Sequence, residues 1–202
     1  MIDGWGEITA MLLRILRTMI YRITLRLRGE LTLDGEITIK ALVKAGLKIG
    51  HNCHILPDVT IDSGHCWLVE LGNNVTLAPE VYILAHDAST KLHLGYTRIG
   101  KVKIGDNVFV GARTIIMPNV TIGANSIIGA GSLVNQDIPA HVVAAGNPAK
   151  VISTLEAFLD KHRQQMEQLP CFDASYTVDG GITPEMKAEM LHRMVEGQGY
   201  VV

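Results

Sequence analysis

Aliphatic residues recur at every sixth position along most of the chain. The series shifts its register by four residues after Ile61 and is interrupted at greater length after Ile83. Its fifteen members are Leu31, Ile37, Val43, Ile49, Ile55, Ile61, Leu71, Leu77, Ile83, Ile104, Val110, Ile116, Ile122, Ile128 and Val134. Six is a multiple of the two-residue period of a β-strand and does not match the 3.6-residue period of a helix. The pattern therefore predicts a run of short strands.

A second inward position lies four residues after most of these aliphatic residues, and it is small or β-branched, as in Val75, Val108 and Ser126. Strand alternation places both positions on one face. Gly often follows the aliphatic residue and Asn often comes two residues later, and both residue types tolerate the tight or left-handed geometry of a turn. The chain is thus predicted to form stacked coils of three strands each, about five coils in all, closed into a prism with an aliphatic interior.

Both flanks of the repeat have helical patterns, which gives three predicted segments: an amphipathic helix within 1–30, the β-helix over 31–152, and a helical extension over 153–202. In the extension, one helix is expected over 154–168 after the N-cap Ser153, and another from Thr183-Pro184. The first segment alternates apolar residues with five arginines up to Arg28. It either covers an open end of the prism or contacts an anionic membrane surface through residues 1–28.

The net charge, the cysteines and the arginines of the chain exclude some classes of function. The net charge is −2 at pH 7, so no basic field exists to hold a nucleic acid. The three cysteines form no Cys-x-x-Cys pair, and the arginines interrupt any apolar stretch that could act as a signal peptide or a membrane span. A cytoplasmic protein is expected.

The long interruption of the repeat carries the candidate chemistry. Residues 84–103 hold lysines, an arginine, two histidines and a tyrosine, so they are predicted to leave the prism as a loop. His86 lies where the rigid coil becomes the loop. A free imidazole titrates near pH 6.5 and can accept a proton at neutral pH, so this position suits a general base.

Four further residues are candidates for the site around His86. Asp62 and Asp87 are candidates to orient the imidazole, or to contact the acceptor, and each could equally be a solvated turn residue. His65 and Trp67 lie in the earlier register shift, one coil before the loop. They either line an acceptor pocket, where an aromatic face suits a sugar, or pack against a neighbouring subunit.

Three stretches of the chain resemble the hexapeptide-repeat acyltransferases. The first begins at Ile104 and reads Ile-Gly-Asp-Asn-Val-Phe-Val-Gly-Ala. The second begins at Ile122 and reads Ile-Gly-Ala-Asn-Ser-Ile-Ile-Gly-Ala-Gly-Ser. The third begins at Ala144 and reads Ala-Ala-Gly-Asn-Pro-Ala-Lys-Val-Ile. The resemblance covers about 31–152 and is closest to the branch of galactoside, maltose and capsular polysaccharide O-acetyltransferases. It implies a left-handed parallel β-helix, a homotrimer, acetyl-CoA as the acyl donor and no metal.

The resemblance also implies roles for individual residues. His86 matches the catalytic base that precedes the protruding loop and would deprotonate a saccharide hydroxyl. Coenzyme A would lie in the groove between two adjacent β-helices. The matching residues are Phe109, Ala112, Gly129, Ala130, Asn135, Gln136 and Lys150. Two of them depart from the family pattern, since Gln136 replaces a residue that is often basic and Phe109 replaces a common Trp.

Two other functions fit a β-helix. One is a zinc enzyme of the γ-carbonic-anhydrase type, which uses a His-x-x-x-x-His pair, whereas His86 and His93 here are separated by six residues. The other is a non-catalytic scaffold, which would require a blocked coenzyme groove.

Overall fold

The structure is a computed structural model that describes Leu16, Met19, Ile20, residues 38–195 and residues 197–202. Most of the predicted N-terminal helix, with the hexad positions Leu31 and Ile37, lies outside the described residues. The chain divides into two compact units, Met1–Val151 and Ile152–Val202. Within the described residues, no helix has both the length and the apolar character needed to cross a membrane.

Short strands make up most of the first unit, and the last of them continues into the second unit. Most of them follow the six-residue series, two belong to the loop, and two come after Val134. They are β1 (Lys48–Ile49), β2 (His54–Ile55), β3 (Thr60–Ile61), β4 (Val69–Leu71), β5 (Thr76–Leu77), β6 (Tyr82–Ile83), β7 (His86–Asp87), β8 (Arg98–Ile99), β9 (Val102–Ile104), β10 (Phe109–Val110), β11 (Ile115–Ile116), β12 (Val120–Ile122), β13 (Ile127–Ile128), β14 (Leu133–Val134), β15 (Val142–Ala145) and β16 (Lys150–Thr154). The predicted strands are confirmed from Ile49 onwards.

Apart from β7 and β8, which pair with each other, these strands form three sheets that the chain visits in turn. The first sheet has the order β1-β4-β9-β12, the second β16-β15-β13-β10-β5-β2, and the third β14-β11-β6-β3. The strands of successive coils pair in parallel, as in Ile61↔Ile83 and Ile83↔Ile116. The described residues thus make four complete coils, and β15 with the Ile122–Ile138 bridge begins a further coil.

The predicted hexad at Val43 is wrong, because residues Ile39–Lys44 form a helix. The Thr38 side chain accepts a hydrogen bond from the backbone N–H of Ala41 and so caps the start of this helix. Helical geometry turns Leu42 into the core, at 3% exposure, and leaves Val43 43% exposed. The six-residue spacing of Val43 therefore did not produce a strand, because a capped helix forms in the same segment.

The aliphatic series fills the interior of the prism as predicted. From Leu71 to Val134 every member is buried, and so are the second inward positions such as Val75 and Val108. Burial of each such side chain contributes about 1.5–3 kcal/mol. The buried hydroxyls find acceptors within the coils, since Ser126 donates to the carbonyl of Pro139 and Ser132 to that of Gly129.

Asn and Gly have different roles at the corners. Asn74, Asn107 and Asn125 have φ of 55–57°, and their side chains form a ladder in which each amide donates to the next, at 2.8 and 2.9 Å. The glycine that follows an aliphatic residue instead allows close approach of neighbouring coils. A Cβ on Gly111 would lie 2.5 Å from the backbone nitrogen of Ala130. The chain thus needs Asn for the backbone twist and Gly for the coil spacing.

The loop leaves the prism after β6, as predicted. Its base is an antiparallel pair of β7 and β8, in which His86 lies opposite Ile99 and Asp87 opposite Arg98. Between them lie the 3₁₀ turn Ala88–Thr90 and the short helix Lys91–Leu94, which ends at Gly95 with φ 76°. His86 is therefore held by a strand at the base of the loop.

The second unit contains both helices predicted for the C-terminal extension. The first spans Leu155–Met166, and its N-cap is Thr154 instead of the predicted Ser153. The second spans Pro184–Arg193, with Thr183 as N-cap and Pro184 in the first turn, as predicted. Strands β17 (Cys171–Phe172) and β18 (Tyr200–Val201) form a parallel pair.

Candidate active site

Asp62 and His86 meet because each follows a strand of the third sheet in successive coils. Asp62 comes directly after β3, and His86 comes three residues after the end of β6, which pairs with β3. The backbone N–H of Asp62 donates to the carbonyl of Ile83, which keeps the two coils in register at this corner. The fold therefore stacks the carboxylate of one coil against the imidazole of the next.

The carboxylate of Asp62 is fully buried and accepts four hydrogen bonds. Its Oδ2 lies 2.5 Å from Nδ1 of His86 and 2.9 Å from the backbone nitrogen of Ala85. Its Oδ1 accepts from the backbone N–H groups of Gly64 and His65, both at 3.0 Å. Burial raises the pKa of this carboxyl group, but the hydrogen bond from His86 and those from the backbone lower it more, so that the pKa lies below its ordinary value. Asp62 is thus an ionised, fully bonded acceptor.

The imidazole of His86 has one nitrogen bound and one nitrogen open. Nδ1 contacts Asp62, while the side chain as a whole is 42% exposed. When Nδ1 donates to the carboxylate, the lone pair lies on Nε2, which has no hydrogen-bond partner among the residues that the structure describes. This tautomer can accept a proton from a molecule that approaches from solvent.

His65 and Trp67 continue from His86 as a row of neighbouring rings, tilted against one another by 44° and 52°. The ring centroids of His86 and His65 are 5.2 Å apart, and those of His65 and Trp67 are 5.4 Å apart. Nδ1 of His65 is buried, has no hydrogen-bond partner within the described part of the chain, and lies 3.9 Å from Oδ1 of Asp62. Trp67 is 54% exposed. The structure thus brings together two of the predicted acceptor residues beside the predicted base.

Asp87 and Asp62 differ in their contacts. The carboxylate of Asp87 accepts from the backbone N–H of Ser89 and pairs with Arg98 at 2.8 Å, and these bonds lower its pKa. It stabilises the base of the loop, and Asp62 is the one that contacts the imidazole. Because the side chain of Asp62 is fully buried, it also offers no surface for the acceptor contact predicted for it.

The backbone donors that hold Asp62 were not predicted from the sequence. Asp62 and Gly64 enclose a turn in which the aspartate side chain accepts from the N–H two residues later, which is a common use of Asp before Gly. The sequence Asp62-Ser-Gly-His is typical of this turn. It does not show that the same carboxylate also reaches the next coil.

Asp62, His65 and His86 are also close enough to hold a metal ion, since one ligand atom from each lies within 4.8 Å of the others. Both oxygens of Asp62, however, already accept two hydrogen bonds each. A metal would have to displace the bond to His86, whose 2.5 Å length leaves no room between the two groups. The donor set fits a carboxylate–imidazole pair better than a metal site.

The residues predicted to contact the coenzyme lie on two different edges of the prism. Ala112, Gly129 and Ala130 follow β10 and β13, at the corner between the second and third sheets. Asn135 and Gln136 follow β14, at the corner that also holds His86. Phe109 is an exposed residue of β10, and Lys150 begins β16. A single chain therefore does not gather the predicted coenzyme residues around His86.

The comparisons with known proteins agree with the repeat. Residues 101–136 match the family "Bacterial transferase hexapeptide (six repeats)". The galactoside O-acetyltransferase of Escherichia coli (strain K12) is 40% identical over 121 residues, which are 58% of this chain and 58% of that protein. Protein CapG of Staphylococcus aureus is 37% identical over 123 residues, which are 58% of this chain and 72% of that protein.

A solved structure shares the fold. The hexapeptide-repeat-containing acetyltransferase VCA0836 of Vibrio cholerae O1 biovar eltor, complexed with acetyl coenzyme A, has a TM-score of 0.50 and 28% identity, over 55% of this chain and 61% of that chain. The chain thus spans little more than half the length of the galactoside enzyme and somewhat more of the other two proteins.

Proposed function

Since the chain belongs to the hexapeptide-repeat acetyltransferase family, we propose that it transfers an acetyl group from acetyl-CoA to a saccharide hydroxyl, with His86 as the general base. The observation that carries this proposal is the pairing of an exposed imidazole with a buried carboxylate at 2.5 Å, at the base of a protruding loop. The proposed donor is supported by the VCA0836 structure, which was solved with acetyl coenzyme A.

The chemistry needs a base more than it needs a nucleophile from the protein. A thioester is already activated, whereas a hydroxyl is a poor nucleophile until its proton is removed. Nε2 of His86 takes that proton while the hydroxyl oxygen bonds to the acetyl carbon and the carbon–sulfur bond breaks. His86 then returns the proton to the thiolate of CoA, so no net proton is gained or lost.

Asp62 would support this cycle as a positioning residue. Its hydrogen bond to Nδ1 fixes the tautomer with a free Nε2, and its negative charge stabilises the imidazolium while the proton is held. Its four hydrogen bonds keep it from moving to solvent. The buried carboxylate therefore acts through the imidazole and does not touch the substrate.

We propose that the active unit is a homotrimer, in the cytoplasm, with a left-handed helix of about five coils. The support is the division of the predicted coenzyme residues between two edges of one prism. A neighbouring copy would bring its Ala112 and Ala130 edge against the His86 edge of the first, so that each site has two walls. The role of residues 1–28, either in covering the prism or in membrane contact, remains a prediction.

The test is a transfer assay with the purified full chain. Acetyl-CoA is supplied with a panel of neutral and acidic saccharides, free CoA thiol is followed by absorbance, and the acetylated product is identified by mass spectrometry. We expect CoA release above the acceptor-free rate, with one acetyl group added per CoA. Release that never exceeds the acceptor-free rate, or an absence of acetyl-CoA binding, would favour a scaffold and contradict the proposal. Activity that disappears on chelation and returns with zinc would instead favour the zinc enzyme.

A further inference from the structure

A cavity on the outer face of the first sheet begins at Trp67. Its volume is about 280 Å³, and it crosses β1, β4 and β9. We name it the lysine groove after the residues that give it its character: Lys48, Trp67, Leu68, Glu70, Lys101 and Lys103. The mechanism above leaves this groove without a role.

The lysine groove carries an excess of positive charge. Lys48, Glu70 and Lys103 are cross-strand neighbours, and Glu70 lies between the two lysines, at 3.7 and 3.6 Å from their ammonium groups. Lys101 is exposed and has no acidic partner among the residues that the structure describes. Three lysines therefore face one glutamate, in a chain whose net charge is −2. Such a local reversal of charge attracts an anion.

Trp67 links the groove to the proposed base through a row of neighbouring rings. The tilted rings of His86, His65 and Trp67 lead from the imidazole to the groove wall, with centroid distances of 5.2 and 5.4 Å. Trp67 belongs both to this row and to the groove wall. A ligand stacked on the exposed indole would therefore lie beside the lysines, at the end of the ring row that leads to the reacting imidazole.

We propose that the lysine groove is the acceptor site for an anionic saccharide. The indole face would stack on the apolar face of a sugar ring, and the lysines would pair with a carboxylate or phosphate on the same molecule. Glu70 holds Lys48 and Lys103 along the strands, which leaves Lys101 to meet the anion. This inference rests on the proposed acetyl transfer and narrows its acceptor to acidic or phosphorylated saccharides.

Binding is tested without catalysis by the fluorescence of Trp67. The chain has two tryptophans, so a Trp5→Phe variant reports on Trp67 alone. The probes are galacturonic acid, galactose 6-phosphate, galactose and inorganic phosphate. We expect the two charged sugars to change the fluorescence at lower concentrations than galactose does, with an advantage that shrinks in about 0.5 M salt because screening weakens charge pairs. Equal binding of galactose, or an equal response to inorganic phosphate alone, overturns the proposal.

Steady-state kinetics of acetyl transfer distinguish a failure of the groove proposal from a failure of the proposed function. Lys101→Gln should raise KM for the acidic acceptor about 2- to 5-fold, as expected for an exposed charge pair. KM for galactose, which has no anion to pair with Lys101, should rise less than KM for the acidic acceptor. Lys187→Gln, on the helix Pro184–Arg193, is the matched control and should change nothing.

An unchanged KM in Lys101→Gln, or faster turnover of galactose than of the acidic sugars in the wild type, overturns the groove proposal alone. Charge-selective binding with no transfer to any sugar contradicts the proposed function and leaves the groove as a binding site.

Discussion

Asp62 shows how a carboxylate can be buried at low cost. Removal of a charged group from water is unfavourable unless hydrogen bonds replace the lost solvent. Asp62 receives four, three of them from the backbone N–H groups of Gly64, His65 and Ala85 and one from His86. The backbone donors lie in coils fixed by the sheets, so the acceptor stays in one orientation and so does the imidazole bound to it.

Replacement of this carboxylate tests its role as a positioning residue. In Asp62→Asn the amide can no longer stabilise an imidazolium, and it can favour the wrong tautomer of His86. We expect kcat to fall about 10²- to 10⁴-fold, with the affinity for acetyl-CoA unchanged. Asp173→Asn, a turn aspartate of the second unit, is the matched control and should keep wild-type turnover. A kcat for Asp62→Asn close to the wild-type value contradicts the role, because the carboxylate would then contribute nothing to the transition state.

The same residue predicts a dependence of stability on pH. The pKa of Asp62 lies below its ordinary value of 3.8 in the folded protein, so its ionised form stabilises the fold. That contribution is complete above about pH 4 and is lost as the pH falls through the lower folded pKa. Urea unfolding of wild type and Asp62→Asn at pH 7 and about pH 3 should show a difference in unfolding free energy that shrinks at the lower pH. A difference that grows would have the wrong sign.

Among the elements, the corners give the β-helix its regular spacing. Six residues per side leave two strand residues and four corner residues, and the corner must bend the chain while it stacks on the next coil. Asn107 meets both needs through its φ of 57° and its two side-chain hydrogen bonds, to Asn74 and Asn125. The ladder therefore joins three coils outside the aliphatic core.

Two substitutions at one corner separate these contributions. Asn107→Ala loses the ladder and puts Ala, which tolerates positive φ less well than Asn, at φ 57°, so we expect a loss of about 1–3 kcal/mol of unfolding free energy. Asn107→Gly loses the same ladder bonds but tolerates the φ angle, so its loss should be smaller than that of Asn107→Ala. Chemical denaturation of both variants measures the difference. The reverse order would show that backbone strain does not decide the residue type at this corner.

The sequence predicted the repeat well because one periodic signal was reinforced many times. From Leu71 onwards each aliphatic position pointed inward, and the only long gap was the loop that begins after β6. Val43 failed although the six-residue series continues on both sides of it, because Thr38 caps a helix in that segment. The contact of Asp62 with His86 could be suggested but not chosen over Asp87, because it depends on how the coils stack and not on local sequence.

At the scale of the whole molecule, the proposed site needs a second copy of the chain. His86 lies on one edge of the prism and Ala112 on another, so each copy would supply one wall to each of two sites. Active complexes should then form between two inactive variants. His86→Ala lacks the base, and Ala112→Trp fills the proposed coenzyme groove.

Mixed trimers of these two variants provide the test. If the two are unfolded together and refolded at equal ratio, about a quarter of the sites combine an intact base with an intact groove, because each site joins two subunits in head-to-tail order. We expect about that fraction of wild-type turnover in the mixture and almost none in either variant alone. A mixture as inactive as its components, with both variants shown to refold, contradicts a shared site.

The general base is tested most directly by single replacement of His86. His86→Ala should lower kcat about 10²- to 10⁴-fold, since the hydroxyl then loses its proton without assistance. The affinity for acetyl-CoA should stay at its wild-type value, whereas the unfolding midpoint should fall, because the buried Asp62 carboxylate loses one of its four hydrogen bonds. His51→Ala, an exposed histidine at another corner, is the matched control and should remain fully active. A His86→Ala protein that binds acetyl-CoA and retains near-wild-type turnover would contradict the account.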